Sequence, residues 1–281
     1  QKQQAAAPAQ TGRRGQPAPA AQKEEPKSNV KYDSVTLEVF NSRGELIRTL
    51  KQKAPDKNGL HRMYWNLDEK GERWLSRQAP RGRFEPGGVN VMPGTYKLRI
   101  SFGDQKDSTN INVRFDPRMD VSTQVLQARY NMLKEVDKRQ SLAANAMDRL
   151  RDSKTIVEEY EKRLRDQSAD EYKAFKDMNK VMKDSINKFM DEFVGKEDNR
   201  QGIIRSPEPN VNTMLGNARR YIGGSFDMPG PTQQRAMQQL DAHLNPVINR
   251  LNNFYNQQWV EYRKKMETLN VSIFKDYQAL R

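Results

Sequence analysis

The chain contains no cysteine, which removes disulfides, thiolate metal sites and thiol nucleophiles together. It has two histidines, His61 and His243, and without cysteine this pair cannot by itself form a structural zinc site. No apolar run approaches the ~18 residues needed to cross a bilayer, so no transmembrane helix is expected. There is no Gly-x-Ser-x-Gly elbow, no phosphate loop and no dinucleotide fingerprint. Carboxylates are plentiful but stand at salt-bridge spacing on helix faces, as Glu158 does before Lys162. Nothing pairs them for acid–base work. The residues therefore point to no catalytic or metal-ligating set and to no cofactor. No secretory signal is legible, and Gln1 is not an initiator methionine, so the chain reads as processed or as a fragment.

What is present is length, charge and two kinds of periodicity. The 281 residues suffice for two modest domains and a tail. Hydrophobic residues make up 35% and charged residues 30%, which fits long, wet helices together with an unstructured segment. The net charge of +13 and a pI near 9.7 favour an acidic partner, whether polymer, lipid or protein face. Lys and Arg are interspersed with Asp and Glu rather than blocked, however, so much of this charge reads as helix solubilisation and nucleic acid is not favoured.

Residues 1–32 are rich in Pro, Ala and Gln, with Val30 the sole aliphatic larger than alanine. They read as a flexible linker. From residue 33 to 116 the pattern is β. Val35, Leu37 and Val39 alternate, then Glu45–Leu50, then Leu60–Leu67 with Met63, Trp65 and Leu67 inward. A closing hairpin follows Pro93-Gly94, with Tyr96, Leu98, Ile100 and Phe102 facing Ile111, Val113 and Phe115. Short strands separated by turns predict an antiparallel Ig-like β-sandwich, with Trp65 in its core.

Beyond Asp116-Pro117 the period becomes helical. Leu126, Leu133, Val136, Ala143, Met147, Leu150, Val157 and Leu164 mark one helix of about 45 residues, capped by Ser122 or Asp120. A second helix is expected from the capping-box spacing at Ser168–Glu171, and a short third one stopped by Gly223-Gly224. A last long helix is expected from Thr232 to Leu269, kinked near Ala242 by Pro246. Residues 117–281 thus predict an antiparallel bundle of three to four helices. The fold class is α+β with the two parts as separate domains.

Asn66–Trp74 comes near the Asp-box turn of sialidase-type propellers. Asp68 and Gly71 stand three apart where the box needs two, so a strand end followed by a polar loop is the better account. The long excursion from Asp68 to Met92 is the best binding candidate. It carries Trp74, Arg77, Arg81, Arg83 and Phe84 among glycines and prolines, and aromatics with arginine are favoured at interfaces. The alternative reading is a loop folded over a sandwich edge and anchored by Trp74 and Phe84.

The stretches Ser42–Leu50, Gly59–Leu67 and Met92–Tyr96 resemble an Ig-like sandwich of the kind found in flagellar hook-cap proteins and many secreted bacterial proteins. Asp116-Pro117-Arg118, Pro209–Leu215, Gly223-Gly224 and Pro231-Thr232-Gln233 resemble the C-terminal part of large bacterial sortilin-like, BNR-propeller proteins. These are often labelled glycosyl hydrolases and are frequent in Bacteroidetes-type bacteria. The resemblance runs from Val35 to Arg281. It implies a secreted or cell-envelope location and an accessory role, with the protein's own propeller or an envelope complex as partner. An acidic polymer or a glycan is the alternative ligand. No catalytic residue of that family maps onto this chain.

Overall fold

The computed structural model describes residues 33–57, 59–80, 82, 85–165, 167, 170–197 and 208–269. The linker expected over residues 1–32 lies outside them, as do Arg81, Arg83 and Phe84. So do Ser168-Ala169 of the expected capping box and the last twelve residues, 270–281.

The alternating segments form a four-stranded antiparallel sheet. β1 (Ser34–Phe40) pairs with β2 (Leu46–Lys53) on one side and β5 (Gly94–Phe102) on the other, and β5 pairs with β6 (Gln105–Val113). Val39 lies opposite Arg48 and Leu98, and Tyr96 opposite Ile111, so the period-two pattern becomes one apolar face. That face is thinly covered. Its core is Val39, Val91 and Tyr96, with Ile47, Trp65, Leu98, Ile111 and Val113 packed around them. Trp65 is half-buried rather than central. Its ring meets Tyr96 edge-on at 5.6 Å, and its Nε1 donates to the Asp68 carbonyl at 2.8 Å.

The expected third strand over Leu60–Leu67 does not form. Residues 61–66 carry no strand, and pairing begins only at β3 (Asp68–Lys70), which meets β4 (Gly87–Asn90) in a separate two-stranded sheet. Leu67 is the reason. It adopts φ 55°, alone among the described non-glycine residues in having positive φ, and a residue in that region ends an extended run and re-aims the chain. The two sheets are then tied by a buried pair, Arg48 from β2 and Asp68 from β3, 3.6 Å apart. Arg48 also donates to the Pro86 carbonyl, and Glu85 accepts from the Thr49 amide at 3.1 Å. Gly71 and Gly88 cross so closely that a Cβ on either would run into backbone; here only glycine fits.

The helical pattern forms α1 (Thr123–Arg165), α2 (Lys173–Val194), α3 (Val211–Gly223), α4 (Pro231–Asn256) and α5 (Gln258–Glu267). Ser122 caps α1 by accepting from the Val125 amide at 3.3 Å. A 3₁₀ turn, Asp170–Tyr172, leads into α2. Asn210 caps α3 reciprocally with Thr213. The last helix breaks at Gln257 and not at Pro246, which lies inside α4 without ending it. Proline removes one hydrogen bond there, whereas at Gln257, distorted to φ −118° and ψ −78°, the helix is interrupted for one residue and α5 resumes with Tyr262 and Met266 buried. Trp259 packs against both Tyr255 and Tyr262 across this break.

All five helices share one apolar core, in which Met147, Leu150, Ile186, Phe193, Leu215, Leu240 and Leu244 are almost fully enclosed. Two residues of this core come from elsewhere. Leu75 and Val89, from the excursion between the sheets and the closing hairpin, are buried in the helical cluster and not in the sheet cluster. The architecture shown is α+β: a small antiparallel sheet and a packed helical part joined by that excursion.

Candidate functional site

The excursion is a strap lying along α1. Glu69 accepts from Tyr130 Oη at 2.6 Å and Lys134 Nζ at 2.9 Å. Gln140 Nε2 donates to the carbonyls of Glu72 and Arg73, at 2.9 and 3.1 Å. Arg73 pairs with Asp148, and Arg151 donates to the Ser76 carbonyl at 2.6 Å. The contacts on α1 thus run along the helix through 130, 134, 140, 148 and 151.

Arg77 closes the strap. Its guanidinium pairs with Asp191 and donates to the Gly195 carbonyl at 2.6 Å, at the C-terminal end of α2. Expected as a partner-binding residue, Arg77 is occupied inside the chain, holding the strap to the end of α2. Trp74 is 51% exposed, with the Arg219 guanidinium 5.8 Å from its ring centre. It therefore lies at the surface, supported from α3. The structure brings Trp74 and Arg77 onto one strap, but only Trp74 faces outward.

Sequence reasoning missed the residues beneath the strap. Asp137 and Gln140 are buried in α1. Arg219 pairs with Asp137 and donates to Gln140 Oε1 at 3.0 Å. The available signal was two polar residues at core spacing in an apolar stripe, between Val136 and Ala143. Buried polar side chains need partners, and here the partners are strap carbonyls and an arginine from α3.

Above this network, between the hairpin β5–β6 and the helices α1 and α3, lies a cleft of about 410 Å³. Its walls mix polar and apolar surface; the apolar side chains are Met92, Val113 and Phe115 on the sheet side, Leu126 and Leu133 on α1, and Phe226 beyond α3. Phe115 and Phe226 meet edge-on at 6.0 Å. Arg129 stacks on Phe226 and donates to the Ile222 and Gly223 carbonyls, which end α3. Burial pushes the Arg129 guanidinium pKa down, because its charge has lost water. Tyr130, also on the cleft wall, has its phenol pushed up by burial and by its bond to Glu69.

His61 Nε2 contacts the Lys57 carbonyl and His243 Nδ1 the Gln239 carbonyl, each within its own segment. Among the described residues no group of three His, Asp or Glu stands where it could hold a metal ion, and no helix is long and apolar enough to cross a membrane.

In comparisons with known proteins, no family model, no curated protein and no solved structure matches the chain.

Proposed function

We propose that the chain is a non-catalytic interaction and structural module of a secreted or cell-envelope bacterial propeller protein, docking onto that propeller or an envelope complex. In this reading the two sheets are the halves of an Ig-like sandwich and the helices a bundle that braces it through the strap. One observation carries the docking role. Large apolar side chains are left exposed along the sequence from 46 to 74: Leu60 is 90% exposed, Tyr64 75%, and Leu46 and Trp74 51% each. Such side chains on a well-supported scaffold mark protein-binding surface. The test is the mass of the native polypeptide, then calorimetry of this chain against its separately produced propeller. A native mass well above 32.6 kDa, with binding weakened at least ~10-fold by Leu60→Ser plus Tyr64→Ser, supports the reading. A native mass equal to 32.6 kDa overturns it.

A second reading rests on the other face of the sheet. Pairing places Lys51, Lys53, Lys97, Arg99 and Lys106 on the solvent face, with Glu38 as the one carboxylate among these paired positions. Glu38 is claimed by Arg99 at 2.8 Å. A face of that charge suits an acidic polymer or acidic glycan. Binding of this kind weakens steeply with salt, whereas apolar docking through Leu60 and Tyr64 does not, so a salt series separates the two.

A further inference from the structure

The cleft between the hairpin and α1 has an electrostatic peculiarity that docking does not use. Beside its apolar side chains three arginines line it, Arg114, Arg129 and Arg219, and among the described residues no carboxylate does. Arg129 donates only to neutral carbonyl oxygens. Among the described residues neither Arg129 nor Arg114 stands in an ion pair, and Arg219 has the one counter-ion Asp137. Arg219 also carries a buried Nε–H with no acceptor among the described residues. A buried donor without a partner is costly, and a native structure that keeps one calls for an explanation. The cleft thus combines apolar side chains with an excess of fixed positive charge, beside a buried donor without an acceptor among the described residues. It also lies where two structural layers meet, a preferred place for ligand sites, and its volume falls in their usual range.

We propose that this cleft binds an amphipathic monocarboxylate, a hydrocarbon or aryl body ending in one carboxylate. The body lies between Val113 and Phe115 of the hairpin end and Leu126 and Leu133 of α1. The carboxylate offsets the charge of Arg129, which has only neutral carbonyl acceptors. A cation is excluded by the three guanidiniums, and a neutral alcohol leaves Arg129 uncompensated. The proposal is independent of what the sheet docks against.

The experiment uses the full chain and three probes of matched chain length: decanoate, decanol and decylammonium. Calorimetry and methyl-resolved NMR read the binding. Decanoate is expected to saturate one site and shift the Met92 methyl, with decanol at least ~10-fold weaker and decylammonium not binding. Arg129→Met should weaken decanoate at least ~10-fold and bring its affinity down to that of decanol. Because Arg129 also caps α3, its variant could unfold locally. Met92→Trp, on the cleft rim, is the second variant, and it should block decanoate while leaving circular dichroism unchanged. Equal binding of decanoate and decylammonium overturns the proposal. So does decanoate binding that survives Met92→Trp, or that shifts methyls elsewhere and not at Met92.

Discussion

Gln140, enclosed midway along α1, donates its side-chain amide to the carbonyl of Glu72, sixty-eight residues away, at 2.9 Å. The same amide reaches the Arg73 carbonyl, and its oxygen accepts from Arg219. One side chain therefore joins strap, α1 and α3. Replacing it by leucine keeps the volume but strands three partners in the interior. The expected cost is about 2–4 kcal/mol, near the upper range for single substitutions. Urea unfolding checks this. A midpoint unchanged from the parent would mean that water satisfies these groups and that Gln140 does not hold the strap.

The strap's far end gives a second prediction. Arg77 and Asp191 are both largely shielded from solvent, and Arg77 also serves the Gly195 carbonyl at 2.6 Å. Removing Arg77 leaves Asp191 partly buried without this guanidinium, and removing Asp191 leaves Arg77 with Glu197, 3.6 Å away, as its remaining counter-ion. Arg77→Ala and Asp191→Ala should each destabilise by about 1–3 kcal/mol, and the double variant should recover about 1–2 kcal/mol relative to their sum. A coupling energy near zero in that cycle would show that the pair is loose in solution. It would also return Arg77 to the set of residues open to a partner.

These contacts explain which features were legible in the sequence. Helix α1 was, because Leu126 to Leu164 repeat at helical spacing and Ser122 precedes them; so was the end of α3 at Gly223-Gly224. Strands β1, β2, β5 and β6 were legible because alternation is a local property. The third strand failed because one residue, Leu67, turns left-handed, and no propensity argument places a leucine there. The break at Gln257 was missed because proline is the stronger local signal, while the break accompanies aromatic packing among Tyr255, Trp259 and Tyr262. The strap was invisible for a different reason. Its hold is polar and long-range, made of carbonyls that any sequence presents, and Arg77 in a Gly- and Pro-rich loop looks the same whether it serves a partner or α2. The cleft arginines could not be singled out among the many interspersed cations.

Two glycines yield opposite predictions. A methyl on Gly71 would run into the backbone of Gly87 and Gly88, so Gly71→Ala must push β3 and β4 apart and loosen the strap. The cost should be about 2–3 kcal/mol, as for overpacking elsewhere. Gly216, inside α3, has nothing within 4 Å of where a Cβ would stand. Gly216→Ala should stabilise by about 0.5–1 kcal/mol through helix propensity. Thermal melts of the two variants should move in opposite directions. A destabilising Gly216→Ala would indicate that this surface of α3 is covered in the folded chain.

The last prediction concerns pH. Four phenols, those of Tyr96, Tyr130, Tyr255 and Tyr262, are pushed above the ordinary tyrosine value, in each case first by burial. For Tyr130 the bond to Glu69 and its charge add to the effect. The folded chain therefore keeps phenolic protons that the unfolded chain releases above a pH of about 10. In that window the unfolded state binds fewer protons, so stability falls as pH rises, and it is fully present below about pH 10. The acid side is gentler. Glu38 and Glu135 are pulled down first by hydrogen bonds to Arg99 and to Lys138, and stability from them is lost as pH falls through their lowered values. These carboxylates are near solvent, where such pairs contribute little. Tyr130→Phe should cost about 1 kcal/mol at neutral pH, through the lost bond to Glu69. It should also make the alkaline decline visibly shallower, since one of the four titrating groups is gone. Urea midpoints measured from about pH 8 to 11 give both quantities. An alkaline slope identical in parent and variant would mean that Tyr130 ionises normally in the folded chain, with the strap open at its Glu69 end.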